Sequence, residues 1–284
     1  MMFDLGAVNL GGVLEDPTDN RDYLYLPAKN PMVVVPETKE VIKLSSAGTK
    51  PDTISFLSEM TDVGNQGDRG TCVAWSCGNG MKEWQEKKEE RRVIKLSVEQ
   101  LYQWCKEIDG VSSDGTYLRC AMKVLREKGI PQNEFRPYGD SNPGNQDIIE
   151  RNAETFRVAS YATVNFKDVD AIESAIFQNG PLPVALKILD DCGWKSGFVH
   201  GVSDKSLGAH AVCLVGYDRP KQLFTFKNSW GKMWGQGGYG TVSYTYFTKN
   251  CISAWTSIDM KNSKIVPIQK KTCWDFIKEA FVDV

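Results

Sequence analysis

The rhythm of apolar residues changes once along this chain, near residue 152. Before that point apolar side chains return at helical spacing. Ala74, Trp75, Gly78 and Met81 predict a helix from Thr71 to about Lys88, and Ser97 stands as an N-cap ahead of a second helix running to about Ile108. A turn over Ser112 to Leu118 leads to a third helix, Arg119 to Lys128, which Gly129-Ile130-Pro131 stops. After Asn152, short alternating runs bounded by Gly, Pro and Asp predict strands over Gly180–Leu186, Ala211–Tyr217, Leu223–Lys227 and Gly238–Tyr246, with a helical interruption from Asp170 to Gln178. A helical half followed by an antiparallel, barrel-like β half makes an α+β protein of two lobes, and a cleft between lobes is where ligands usually sit.

The two ends do not follow either rhythm. Residues 1 to about 50 are punctuated by Asp16-Pro17, Asn30-Pro31 and Pro36, which predicts extended segments and turns. They still carry Tyr23-Leu24-Tyr25-Leu26 and the run Met32 to Val35, and these apolar groups need a surface to bury against. Arg21 to Leu26 has the shape of an extended peptide, so this N-terminal extension is expected to pair with a cleft edge as an added strand and restrain activity. Ser45 to Lys50 reads as a linker into a main domain of residues 51–258, divided into a helical lobe (51–151) and a β lobe (152–258). In the C-terminal extension, residues 259–284, Trp274, Ile277, Phe281 and Val284 recur at helical spacing and form an apolar stripe that should pack on the body or on a partner.

Composition removes several classes of function. The 284 residues are 41% hydrophobic and 25% charged, enough to bury a core without staples. Lys plus Arg (34) nearly balances Asp plus Glu (36), so no global field favours nucleic acid or an anionic membrane. The mixed-sign run from Lys82 to Arg92 reads as the solvated end of a helix. Met1 to Leu14 lacks the basic start and unbroken apolar run of a secretory signal, and no stretch is long and apolar enough to span a bilayer.

The chemistry is concentrated in a few short stretches. Asn65-Gln66-Gly67-Asp68-Arg69-Gly70-Thr71-Cys72 is a polar, glycine-punctuated loop running into a helix, which places Cys72 at a helix N-terminus where free N–H groups and the helix dipole favour thiolate. Gln66, six residues earlier, can add a carboxamide N–H to the backbone N–H of Cys72 as an oxyanion hole. Of the two histidines, His210 opens the strand Ala211–Tyr217 and can serve as the base of a Cys-His pair, whereas His200 lies in a Gly-flanked loop and reads as a surface residue. Asn228-Ser229-Trp230-Gly231 follows, and an Asn there can fix the imidazole's orientation and tautomer while Trp230 shields the bond.

Taken together, Gln66, Cys72, His210 and Asn228 resemble the papain family of Cys-His-Asn peptidases over about residues 51 to 258. That resemblance implies a two-lobed fold and a peptide or protein substrate cleaved through a thioester on Cys72, with protein inhibitors as further partners and no cofactor. It also implies that substrate docks along Gly115 and Thr116, that Trp230 walls the leaving-group side, and that Tyr117, Leu118, Ala185, Gly208 and Ala209 line an apolar pocket for the second residue upstream of the cut.

The chain departs from the family pattern in places. Arg69 stands where the family has a cysteine, Val73 where it has an aromatic residue, and Ser113-Asp114-Gly115 where it has Cys-Asn-Gly, so both halves of one usual bridge are gone. Cys105 finds no cysteine after Tyr138 either, while Cys192 and Cys251 could still meet. A reduced protein in a reducing compartment is expected, cytoplasmic or exported without a classical signal. Two other uses of the residues remain open: acyl transfer to an amine by the same triad, and a catalytically silent binding protein on this fold. Structural zinc is disfavoured, because Cys72 and Cys77 have no second pair and the ends of His210-Ala211-Val212-Cys213 fall on opposite faces of a strand.

Overall fold

The structure, a computed structural model, describes residues 4–19, 22–25, 32–34, 41–43 and 49–261. The expected stripe of Trp274, Ile277, Phe281 and Val284, and most of the expected linker at Ser45–Lys50, lie outside these residues. At the N-terminus come β1 (Val13–Leu14), β2 (Met32–Val34), β3 (Val41–Lys43) and β4 (Thr53–Ser55). The helical half holds α1 (Cys72–Ala74), a π-helical stretch (Trp75–Lys82) that continues it, α2 (Glu83–Glu90), α3 (Val98–Asp109), β5 (Thr116–Tyr117), α4 (Leu118–Glu127) and α5 (Gln146–Ala153). The β half holds β6 (Val158–Thr163), α6 (Val169–Asn179), β7 (Leu182–Leu189), β8 (Phe198–Val199), β9 (Ser206–Asp218), β10 (Leu223–Lys227), β11 (Tyr239–Ser243), α7 (Tyr244–Asn250) and β12 (Cys251–Asp259).

Local chemistry explains most boundaries. Ser97 caps α3 by accepting the Gln100 N–H at 3.0 Å, and Gly110 ends it in the left-handed conformation at φ 68°. Asp168 caps α6 through the amides of Asp170 and Ala171. The strand expected to run from Gly238 to Tyr246 stops at Ser243, whose hydroxyl accepts the Tyr246 N–H and starts α7 instead. Aromatic alternation over Tyr244–Tyr246 favours strand, but a local cap outweighs that weak preference. Asn145 opens α5 in the same way, a helix the apolar rhythm does not announce.

Eight strands form one sheet in the order β6-β12-β7-β9-β10-β11-β8, with β4 added to the far end of β9. All pairings are antiparallel except β11 with β8. One core lies within this half, around Ile172, Leu214, Phe224, Phe226 and Trp234. A second fills the helical half around Met81, Leu101, Trp104 and Leu125, and it takes in Ala185, Ala211, Cys213 and Trp255 from the sheet.

The two halves meet where the central helix crosses β9. A side chain at Gly80 would put its first carbon 2.5 Å from Cys213 Cβ, closer than real atoms approach, so glycine is what lets the helix lie against the strand. This seam fixes Cys72, at the start of the helix, relative to His210 on the strand. Gly80→Ala should therefore lower stability by about 1–3 kcal/mol in urea titration, although Ala is the better helix former. A variant as stable as the parent would contradict the close contact.

Candidate active site

Cys72 opens α1, fully buried, and its sulfur accepts the Ala211 amide N–H at 3.4 Å. Ala211 directly follows His210 on β9, so the strand that carries the imidazole also touches the sulfur. Asn228 sits one residue past the end of β10, and its Oδ1 lies 2.7 Å from His210 Nε2. The same oxygen accepts the Ser229 backbone N–H at 2.8 Å, so it must be the carbonyl end of the amide. A carbonyl can only accept, which makes Nε2 the protonated nitrogen of a neutral ring and leaves Nδ1 as the basic one. Among the described residues Nδ1 is buried and has no partner.

Aromatic rings hold the imidazole from two sides. Trp230 stacks on it with centroids 4.5 Å apart, and Trp194 meets it edge-on at 6.2 Å. Trp194 escaped the sequence reading, because it lies in a loop with no motif around it. Its role depends on Tyr246, whose hydroxyl accepts the Trp194 indole N–H at 2.9 Å from across the lobe.

The loop before Cys72 is held by side chains rather than by a covalent bridge. Gln66 is buried, takes the Ser229 hydroxyl on its Oε1 at 2.6 Å, and gives one carboxamide N–H to the Arg69 carbonyl at 2.9 Å. A carboxamide has a second N–H, which stays available for an oxyanion. Arg69 forms a two-pronged pair with buried Glu99 at 2.6 and 2.9 Å and lies over the Tyr138 ring. Burial pushes the Glu99 carboxyl up, but the Arg69 bonds and the Gly139 amide outweigh it and hold the group below its ordinary range. The seven described cysteines are all free, Cys192 and Cys251 included.

Behind Asn228 lies a polar network that has no sequence signature. Lys227 is buried, pulled down to about 8 by burial against the attraction of Glu83, and its ammonium donates to Thr61 Oγ1 and the Asn79 carbonyl. Glu83 in turn accepts from Thr61, Asn79 and the Leu96 amide. These bonds tie the central helix to the strand end that presents Asn228.

The cleft between the lobes is filled by the chain's own N-terminal segment. Gly12 lies so close to Cys72 that a side-chain carbon there would fall 2.8 Å from the sulfur. The Leu10 carbonyl accepts the Ala209 amide N–H at 2.7 Å, the Gly12 carbonyl faces the Thr116 amide at 3.4 Å, and β1 pairs with β5 in parallel. Gly115 and Gly208 are both glycines at positive φ (91° and 146°), where a side chain would run into the Gly11 and Leu10 carbonyls. Val13, nearly buried, shares one apolar cluster with Leu118, Ala185 and Ala209. The residues expected to bind substrate, Gly115, Thr116, Tyr117, Leu118, Ala185, Gly208 and Ala209, thus surround this segment.

The expected occupant was Arg21 to Leu26, and this is corrected. Leu24 bridges to Thr163, and backbone bonds at 2.7 and 2.8 Å dock residues 23–25 on the outer edge of β6. Tyr25 buries its ring in the β-lobe core, where its hydroxyl meets Gln178. The segment does add itself to a strand edge, but to one that offered free N–H and C=O groups away from the cleft. His200 is exposed and stacks on Phe198.

Burial sets the protonation of the pair. Burial pushes the Cys72 thiol up to about 12 against the Ala211 hydrogen bond, and pulls the His210 imidazole down to about 4 against that of Asn228. Both shifts favour the neutral forms of thiol and imidazole, whereas a Cys-His pair works as thiolate and imidazolium.

Residues 51–259 match the papain family of cysteine proteases, and the chain belongs to that family. A viral cathepsin of Antheraea pernyi nuclear polyhedrosis virus is 32% identical over 193 residues, covering 66% of this chain and 56% of the relative. The chain spans a little over half the length of the curated relatives it matches. Among solved structures, xylellain, a cysteine protease from Xylella fastidiosa, superposes with a TM-score of 0.74 at 22% identity over 90% of this chain and 98% of that one. Digestive procathepsin L 3 of Tenebrio molitor gives 0.62 at 24% identity over 75% and 72%. These likenesses establish the papain-like α+β fold of two lobes.

The neutral, buried His210 makes a pH prediction. Unfolded, it takes a proton near 6.5; folded and covered, not until about 4. Between those values the unfolded chain binds more protons, so stability from this group is complete above pH 6.5 and is lost as pH falls to 4, by about 3 kcal/mol. Urea midpoints of the parent should fall more steeply over that range than those of His210→Asn, and parallel curves would contradict the assignment.

Proposed function

We propose that this chain is a cysteine peptidase in which Cys72 attacks the scissile carbonyl and Asn9 to Leu14 hold the site covered until displaced. The observation that carries the reading is the hydrogen bond of His210 Nε2 to Asn228 Oδ1, which leaves the basic nitrogen of the ring free on the strand that touches the sulfur. With the segment gone, Nδ1 takes the thiol proton and the thiolate adds to the carbonyl carbon. The oxyanion is met by the Cys72 backbone N–H and the second Gln66 N–H. Collapse expels the amine, which takes the proton back from His210, and leaves a thioester on Cys72. Water, deprotonated by the same nitrogen, then releases the acid and restores the thiol.

The specificity expected at the second upstream position is supported by what fills the cleft. Val13, 4% exposed, belongs to the apolar cluster that holds Leu118 and Ala185, with Ala209 packed against it, none of them charged. An apolar side chain there is favoured at about 25 cal/mol per Å² buried, so Leu, Val or Phe should be preferred over Arg or Asp.

Three variants of the full chain test the reading with one peptide carrying Val at that position. Cys72→Ala abolishes hydrolysis, and Gln66→Ala lowers kcat about a hundredfold by removing one oxyanion donor. Gly12→Val forces its side chain against the sulfur, costs the covered state about 1–3 kcal/mol, and so raises kcat/KM about five- to hundredfold over the parent. Full activity of purified Cys72→Ala would overturn the chemistry. An unchanged rate in folded Gly12→Val would overturn the covering role.

A further inference from the structure

Beyond Val13 the N-terminal segment places a carboxylate in a receptor made by the catalytic domain. Asp16 Oδ1 accepts the backbone N–H of Arg119, in the first turn of α4, at 3.1 Å. Its Oδ2 accepts the Trp255 indole N–H at 2.7 Å and the Ser253 hydroxyl. Trp255 and Ser253 stand on β12 and are 1% and 5% exposed, so the donors are built into the body of the protein. The N-cap residue of α4, Tyr117, offers its helix no side-chain acceptor, which leaves that need to Asp16. The Arg119 guanidinium lies over the Trp255 ring and pairs with Asp22 and, at 3.4 Å, with Asp19, while its buried Nε has no partner among the described residues.

Chemically the receptor has one kind of vacancy to fill. The Trp255 indole N–H, the helix N-terminal amide and the Arg119 guanidinium can only donate, while the Ser253 hydroxyl donates to Asp16 and accepts the indole N–H at 2.9 Å, and Asp22 and Asp19 already pair with the guanidinium. Leaving the Arg119 amide and the Ser253 hydroxyl buried without an acceptor is costly, and an ionised acceptor beside the indole and guanidinium satisfies them best. The donors sit on α4 and β12, outside the segment that now serves them. When that segment leaves, they stay behind on the wall of the cleft and face whatever replaces it.

Position along the cleft says what that is. Gly12 lies on the nucleophile and Leu14 pairs with Tyr117, so Asp16 sits four residues from the sulfur, about 13 Å along extended chain. This is the β5 and α4 side, which the resemblance to the papain family assigns to residues upstream of the cut. We propose that Arg119, Ser253 and Trp255 form a carboxylate-binding subsite, occupied here by Asp16, that takes an acidic side chain of the peptide substrate three to five residues upstream of the scissile bond. The proposal rests on the reading of the chain as a peptidase displaced from its own N-terminal segment. It adds a second specificity element to the apolar pocket, with opposite chemistry.

Binding without cleavage tests it independently of that reading. The protein is the full chain carrying Cys72→Ala, with Asp16→Asn to loosen the incumbent and leave the receptor intact. The probes are fluorescein-labelled peptides with Val at the second upstream position and either Glu or Gln at the third, fourth or fifth, followed by anisotropy. At one of these positions the Glu peptide should bind about five- to tenfold tighter than its Gln twin, as a charge-assisted bond exceeds a neutral one. Adding Ser253→Ala, or separately Arg119→Gln, should bring that ratio to about twofold or less. Equal binding or no binding of both twins at all three positions overturns the subsite, as does a ratio unchanged by both substitutions. Absence of hydrolysis in the chain with Cys72 intact would strike the peptidase reading and leave this ratio to decide the subsite.

Discussion

The site depends on how closely one helix can approach one strand. Cys72 and His210 belong to different lobes, 138 positions apart, and neither lobe alone brings them together. Gly80 against Cys213 lets the helix that begins at Cys72 rest on the strand that carries His210. The Lys227–Thr61–Asn79–Glu83 network then ties the end of β10 to the same helix, which sets Asn228 behind the imidazole. Packing and buried polar bonds thus locate all three groups from one seam.

The cover works by exclusion as much as by contact. A segment with no side chain at Gly11 and Gly12 can lie flat on the sulfur, in a site whose burial disfavours the charged forms of thiol and imidazole. Beside it, an apolar residue and a carboxylate anchor the segment in the two environments the cleft offers, Val13 in one and Asp16 in the other. Low charge at the chemistry and charge complementarity at the edge are separate physical tasks, and separate residues carry them.

How much of this the sequence disclosed depended on whether a feature was local. Gln66, Cys72, His210 and Asn228 each lie in a short stretch with its own glycine or loop signal, so the four were legible together, as was the division into a helical and a β half. Gly115, Thr116, Gly208 and Ala209, which the same resemblance singled out, lie against the N-terminal segment. The cleft occupant was not legible, because Gly11-Gly12 reads as turn punctuation, whereas the apolar Tyr23–Leu26 run carries the stronger signal for burial. Tyr25 does need burial, but periodicity cannot tell which surface provides it, and the β6 edge offered unpaired backbone groups. Trp194 and the Lys227–Glu83 network were hidden for the same reason: their partners are far away in sequence.

The central claim is that a competent Cys72 lies under Asn9 to Leu14, and covalent labelling probes it most directly. Full-length protein is incubated with a peptidyl epoxide at pH 7 and the adduct is located by mass spectrometry over time. The account predicts a single adduct on Cys72, the other thiols staying silent, formed slowly in the parent and much faster when Gly12→Val pushes the segment off the sulfur. Labelling spread over several cysteines, or none on Cys72 in either protein, would contradict it.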